Sequence, residues 1–283
     1  MTRPASLMLS VALALVAGSA DAVDLASRNA AASCAAPPAL MKIEPPEARS
    51  AARIDQGTPL TIVAVGSSST QGVGASAPDL SYPSRLAAEL KQRVAAIDIR
   101  VINRGKGGED VSEELARLDR DVIAERPELV IWQVGTNAVL RRDDLTADRE
   151  LIERGVARLK ASGSDVVLMD LQYAPRVLAR PAHAEMEQLI AKVADRASVG
   201  LFRRFEIMRY WQGGQRADAP KMVGPDGLHM TDDGYGCLAV ELAEALARNW
   251  RAYERAALSP SAARVAGLSG PVRAASPPDA AAP

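Results

Sequence analysis

The sequence predicts an α/β fold of three layers, in which helices cover both faces of a central parallel sheet of five strands. Apolar runs of strand length recur along the chain, and each gap between them holds a segment whose apolar residues have helical spacing. Most of the runs are largely apolar and do not alternate with polar residues. Strands that are buried on both faces and separated by helices are typical of parallel sheets.

The elements follow one another in regular alternation, without an internal repeat. The predicted strands lie at residues 60–66, 98–103, 129–135, 165–171 and, most weakly, 199–204. The predicted helices lie at residues 82–96, 110–125, 146–162, 184–198 and 232–257. One globular domain over residues 58–256 is therefore expected.

The N-terminal residues 1–22 have the pattern of a secretory signal peptide. An early Arg3 precedes an apolar run at 7–17, and the small residues Ala20 and Ala22 precede the predicted cleavage point. The run is shorter than the ~20 residues that a membrane-spanning helix needs, and no later segment approaches that length. We expect the mature protein to be periplasmic or secreted, without stable membrane insertion.

Two further segments differ from the domain in composition. Residues 23–57 are rich in Ala and Pro and read as an extended leader that lies across the domain, whereas residues 257–283 read as a disordered Ala/Pro-rich tail. Cys34 in the leader and Cys237 in the last helix would both meet an oxidising compartment after export. Sequence alone leaves their pairing open, because it does not give the distance between them.

The net charge of −1 argues against polyanionic partners. No basic stretch marks a nucleic-acid surface, and no ligand spacing such as C-x-x-C or H-E-x-x-H marks a metal site. The sequence contains neither of the glycine-rich motifs that bind nucleotides, G-x-x-x-x-G-K-[ST] and G-x-G-x-x-G. No cofactor is therefore expected. We expect the protein to be a monomer.

Polar residues cluster where strands end, which is where open α/β sheets bind ligands. A serine hydroxyl becomes a nucleophile when a histidine takes its proton and a carboxylate orients the imidazole. Asp226 lies three residues before His229, so a tight turn can bring the two side chains together. The other histidine, His183, follows Pro181 with no carboxylate closely before it, and a non-catalytic role is expected.

These motifs resemble the four sequence blocks of the SGNH or GDSL hydrolases. In order they are Gly66-Ser67-Ser68, Asn103-Arg104-Gly105-Lys106-Gly107-Gly108, Gly135-Thr136-Asn137 and Asp226-Gly227-Leu228-His229. The resemblance covers about residues 58–255 and implies a flavodoxin-like sandwich. It also implies Ser68 as nucleophile, Asp226 and His229 as its partners, and an oxyanion hole from the Ser68 and Gly108 N–H groups and the Asn137 amide. One departure is Ser67, which replaces the usual aspartate and puts the rigidity of this loop in question.

The resulting hypothesis is an exported serine esterase that works through an acyl-enzyme on a small-molecule, glycan or lipid ester. The alternatives are an O-acyltransferase or deacetylase acting on cell-envelope glycans, and a catalytically idle glycan-binding module. For that module Tyr210 and Trp211 are the candidate sugar contacts, although packing is the commoner role for such a pair. The acyl-chain length and the natural substrate stay open.

Overall fold

All strands of the sheet form from the predicted apolar runs. The computed structural model describes residues 34–141, 145–213 and 221–257; the predicted signal peptide, the start of the leader and the tail from residue 258 onward lie outside these ranges. The strands pair in parallel in the order β2-β1-β3-β4-β5. Their bounds are β1 (Leu60–Gly66), β2 (Ile99–Gly105), β3 (Leu129–Gln133), β4 (Asp165–Met169) and β5 (Gly200–Phe202).

The described ranges contain eleven α-helices. They are α1 (Ala48–Asp55), α2 (Ser68–Gln71), α3 (Tyr82–Arg93), α4 (Val111–Ala116), α5 (Leu118–Asp121), α6 (Thr136–Arg141), α7 (Leu145–Ala161), α8 (Pro175–Leu178), α9 (His183–Ala197), α10 (Arg204–Gly213) and α11 (Asp232–Ala257). Short 3₁₀ turns lie at Pro78–Leu80 and Ile123–Glu125.

Successive strand residues point to opposite faces of the sheet, which creates two hydrophobic cores. On one face Ile62 and Ala64 pack in a cluster with α3, α10 and α11, and on the other Val63 and Val65 pack with α4, α7 and α9. The sheet is thus covered on both sides. The predicted three-layer α/β sandwich with a parallel five-stranded sheet is confirmed, and its strand order is that of flavodoxin-like folds.

The differences from the predicted elements lie at their ends. β3 and β4 each end two residues earlier than predicted, and β5 keeps only three residues because Arg204 already begins α10. The predicted helix at 110–125 is divided into α4, α5 and a 3₁₀ turn. The one-turn helix α2 was not predicted, since a helix of this length shows no periodicity.

The described part of the leader packs on the domain and contains the helix α1. Cys34 and Cys237 form a disulfide with their Cα atoms 5.1 Å apart, and the Trp211 indole donates to the Cys34 carbonyl oxygen at 2.6 Å. The bond closes a loop of 203 positions, and such a link typically stabilises a fold by ~2–4 kcal/mol. None of the helices in the described ranges has the length and apolar character needed to cross a membrane.

Candidate active site

Ser68 stands at the carboxyl edge of the sheet, as the first residue of α2. The chain turns into this helix at Gly66, where a Cβ atom would lie 2.5 Å from the Thr70 hydroxyl oxygen. Only glycine allows this close approach. The turn places the Ser68 side chain above the end of β1, where parallel sheets present their reactive groups.

A single buried carbonyl oxygen holds the serine-rich turn. The Oε1 atom of Gln133, the last residue of β3, accepts hydrogen bonds from the Ser67 N–H at 2.9 Å, the Ser67 hydroxyl at 3.0 Å and the Ser69 hydroxyl at 3.1 Å. Ser67, Ser69 and Gln133 are all buried. The residue that replaces the usual aspartate is therefore part of a hydrogen-bonded turn, and the loop is fixed from below.

Arg204 extends this network toward the histidine. Its side chain is fully buried and donates to the Ser69 hydroxyl at 2.9 Å and to Gln172 Oε1 at 3.0 Å. The Gln172 amide in turn lies 3.5 Å from the Leu228 carbonyl oxygen. Burial lowers the pKa of Arg204 to about 10, with the Asp170 charge acting in the opposite direction, so the guanidinium stays charged at neutral pH. This charge supports the two loops that carry Ser68 and His229.

The loop before α11 joins Asp226 to His229 in a tight turn. The Oδ1 atom of Asp226 accepts from the Leu228 and His229 backbone N–H groups, each at 3.0 Å, and Oδ2 lies 2.5 Å from His229 Nδ1. The turn needs Gly227, whose φ is +68°. Partial burial raises the pKa of Asp226, but the hydrogen bonds from Leu228 and His229 outweigh it and hold the pKa below its usual value. Asp226 is thus an anion facing the imidazole.

The structure brings the three predicted residues together. His229 Nε2 lies 3.0 Å from Ser68 Oγ, and its other ring nitrogen faces Asp226. An imidazole held in this way can accept the serine proton while the carboxylate stabilises the resulting imidazolium. The arrangement has the geometry that nucleophilic catalysis by a serine requires.

The predicted oxyanion donors are the Ser68 N–H at the start of α2, the Gly108 N–H in the loop after β2, and the Asn137 amide in the first turn of α6. Among the described residues, neither the Ser68 N–H nor the Gly108 N–H donates a hydrogen bond. One N–H of the Asn137 amide donates to the Glu109 carbonyl oxygen at 2.7 Å, which leaves its second N–H for a ligand. The Asn137 amide, which the motif resemblance assigns to the oxyanion hole, therefore also holds the loop that carries Gly108.

His183 and Trp211, which the sequence analysis places outside the triad, lie in structural contacts. His183 begins α9, where its ring stacks on Phe205 and Nδ1 lies 3.1 Å from a Glu187 carboxylate oxygen. Trp211 is buried against the leader, whereas Tyr210 is exposed. Within the described ranges, no group of three His, Cys, Asp or Glu side chains is placed to hold a metal ion.

Four side chains around the site were missed by the motif search. Gln133 has a sequence signal, since it is a polar residue at the end of a fully apolar strand. The other three, Gln71, Arg141 and Arg204, belong to no motif, and their contacts join segments that are distant in sequence.

Solved structures with the same fold have low sequence identity to this chain. A two-domain esterase (CEX) active on acetylated mannans has a TM-score of 0.59 and 23% identity; the match covers 71% of this chain and 52% of that one. The chain thus spans about half of that esterase's length. TesA has a TM-score of 0.56 and 22% identity, covering 67% of this chain and 99% of its own.

A third similar structure is a catalytic mutant of an acetylxylan esterase (Axe2) from Geobacillus stearothermophilus. Its TM-score is 0.56 and its identity 18%, with 66% of this chain and 94% of that chain covered. No curated protein matches the sequence. Residues 33–252 match the non-GDSL lipase-like family over most of the chain. The chain therefore belongs to the non-GDSL lipase-like family, and its fold is that of the SGNH-type ester hydrolases.

Proposed function

We propose that this protein is a serine esterase that hydrolyses carboxylic esters through an acyl-enzyme on Ser68. The observation that carries the proposal is the continuous hydrogen-bonded chain from Ser68 Oγ through the His229 ring to Asp226, with links of 3.0 and 2.5 Å. A serine hydroxyl is a weak nucleophile unless such a base removes its proton.

The proposed reaction forms an acyl-enzyme and then hydrolyses it. Ser68 Oγ attacks the ester carbonyl while its proton moves to His229 Nε2, and the imidazolium is stabilised by Asp226. The same proton then goes to the leaving alcohol as the carbon–oxygen bond of the ester breaks, which leaves an acyl-serine. Water, deprotonated by His229, attacks this acyl group and releases the acid, and the proton returns to Ser68 Oγ.

The negative charge on the carbonyl oxygen is stabilised by the N–H groups of Ser68 and Gly108 and by the Asn137 amide. Donors that are already in place when charge develops contribute most to the rate, with ~3 kcal/mol for a single donor in known acyl-transfer enzymes. The buried support beneath Ser68 favours such preorganisation, because Gln133 and Arg204 fix the turn before substrate arrives.

We further propose that the protein acts after export, in the periplasm or outside the cell, as a monomer. The disulfide between Cys34 and Cys237 supports this, since such bonds persist in oxidising compartments. An ester of a small molecule, a glycan or a lipid is the proposed substrate.

Ser68→Ala tests the nucleophile. The variant should lose several orders of magnitude in kcat on p-nitrophenyl esters of increasing chain length, with an unchanged melting temperature. A fluorophosphonate should label the wild type at Ser68 alone. Hydrolysis by the Ser68→Ala variant at the wild-type rate would exclude the mechanism, and acid release compared with acyl transfer to an added sugar would distinguish esterase from transferase.

A further inference from the structure

The loop that carries Gly108, residues 105–110, is held by the side chain of Gln71, the last residue of α2. The Oε1 atom of Gln71 accepts the Gly107 N–H at 2.7 Å, and the Gln71 backbone carbonyl oxygen accepts from the Asn103 amide at 3.3 Å. A Cβ atom on Gly107 would lie 2.8 Å from that same Oε1 atom. The loop and the end of α2 are therefore in direct contact through Gln71.

Arg141 fastens the same loop from the opposite side. Its guanidinium donates to the Gly108 carbonyl oxygen and to the Asp110 carboxylate, and it lies 3.3 Å from a Glu113 carboxylate oxygen. Arg141 is on α6, one turn after Asn137, whose amide donates to the next carbonyl oxygen along the loop. A planar guanidinium can hold two acceptors at once in a fixed geometry.

These contacts engage the groups on either side of the Gly108 N–H. The Gly107 N–H and the Gly108 and Glu109 carbonyl oxygens are all engaged, whereas the Gly108 N–H is free among the described residues. Gly108 has a φ of +83°, and a Cβ atom there would meet nothing within 4 Å. No neighbouring side chain lies against the position of that Cβ atom, and the hydrogen bonds on both sides of Gly108 hold the peptide groups that set the direction of its N–H.

We propose that Gln71 and Arg141 are positioning residues of the oxyanion hole, which hold the loop so that the Gly108 N–H points at the developing charge. Neither touches substrate. The inference rests on the proposed function, since it assigns Gly108 as an oxyanion donor. A donor that is misaligned loses stabilisation in the transition state more than in the substrate complex, so kcat should fall while KM changes little.

The test compares Gln71→Met and Arg141→Met with two matched controls. Gln92→Met removes an exposed glutamine on α3, and Arg248→Met removes an arginine whose side chain is 45% exposed, against 43% for Arg141, and which also forms ion pairs. We expect kcat to fall about 10- to 100-fold in each test variant, which is part of the effect of losing a whole donor. The controls should keep wild-type kcat, and KM should stay within about twofold throughout.

A second readout separates positioning from a general structural role. Phenylboronic acid forms a tetrahedral adduct on a catalytic serine, and its affinity should fall in parallel with kcat in both test variants. Arg141→Lys, which keeps the charge but lacks the two-point fork, should resemble Arg141→Met. Full rescue by lysine, or a lowered melting temperature with unchanged boronate affinity of the folded enzyme, would overturn the proposal.

Failure of the proposal and failure of the proposed function give different results. If the wild type hydrolyses no ester and Ser68 is not labelled by a fluorophosphonate, the esterase assignment fails. If the wild type is active and labelled but both test variants match it in kcat and boronate affinity, the assignment of Gln71 and Arg141 alone is wrong.

Discussion

The Nε2 atom of His229 lies 3.0 Å from Ser68 Oγ, although 161 positions separate the two residues. The loop after α2 brings them together: the Tyr235 hydroxyl donates to the Val73 carbonyl oxygen at 2.7 Å, and a Cβ atom on Gly74 would lie 3.0 Å from His229 Cβ. The backbone around His229 is thus held independently of its ring. Removal of the imidazole should affect chemistry more than folding.

His229→Ala should lower kcat by about 10³- to 10⁶-fold, because the serine loses its base. His183→Ala removes a ring that stacks on Phe205 and contacts Glu187, so a small loss of stability with nearly unchanged kcat is expected. Steady-state kinetics and thermal unfolding of both variants provide the check. An inactive His183→Ala variant beside an active His229→Ala variant would require another base.

Asn137→Ala should reduce kcat by roughly 10²- to 10³-fold with little change in KM, since it removes an oxyanion donor and one fastening of the Gly108 loop. Asn137→Asp should be worse, because it adds negative charge beside the oxyanion. Kinetics and melting temperature are measured on the same samples. If Asn137 has only a structural role, the Asn137→Ala variant should instead have a lower melting temperature and lose activity in proportion to its folded fraction.

The sequence was sufficient to predict the strands and the placement of the four motif blocks at one edge of the sheet, because each is a short contiguous pattern. It was insufficient where contacts join distant segments. Nothing in the residues around Arg204 indicates that its side chain reaches Ser69, and the pairing of Cys34 with Cys237 required a distance. The shortest helices were missed because one turn carries no period.

Ser67→Asp, which restores the aspartate usual in G-D-S, should destabilise this protein more than Ser67→Ala does. Ser67 is buried, and its hydroxyl donates at 3.0 Å to Gln133 Oε1, an oxygen that also accepts the Ser67 N–H. A carboxylate there would face a carbonyl oxygen and lose solvation, whereas alanine only loses one hydrogen bond. Urea unfolding of both variants tests this. Equal or greater stability of the Ser67→Asp variant would mean that the Gln133 amide can reorient to donate.

Glu47 connects the leader to the start of β4. It is buried, its backbone N–H donates to the Asn249 side chain at 2.8 Å, and its carboxyl group lies near Asp165 and Lys160. Asp165 already accepts the Ser50 N–H at 2.7 Å and the Ser50 hydroxyl at 2.8 Å. Burial raises the pKa of Glu47 to about 9, and the Asp165 charge adds to this shift. The native protein therefore holds a proton on Glu47 at neutral pH.

Glu47→Gln should flatten the pH dependence of stability between about pH 5 and 9. The pKa of Glu47 is higher in the native state than in the unfolded chain, so over this range only the unfolded chain releases the proton. The free energy of unfolding of the wild type therefore falls by up to ~1.4 kcal/mol per pH unit because of this group. Glutamine carries no titrating proton, so the variant should gain in relative stability as the pH rises. Glu44→Gln is the matched control, because Glu44 is exposed and paired with Lys42. Urea unfolding at pH 5.5, 7.0 and 8.5 gives the slope of unfolding free energy against pH for the wild type and both variants. A Glu47→Gln slope equal to that of the wild type would show that Glu47 is ionised in the native state.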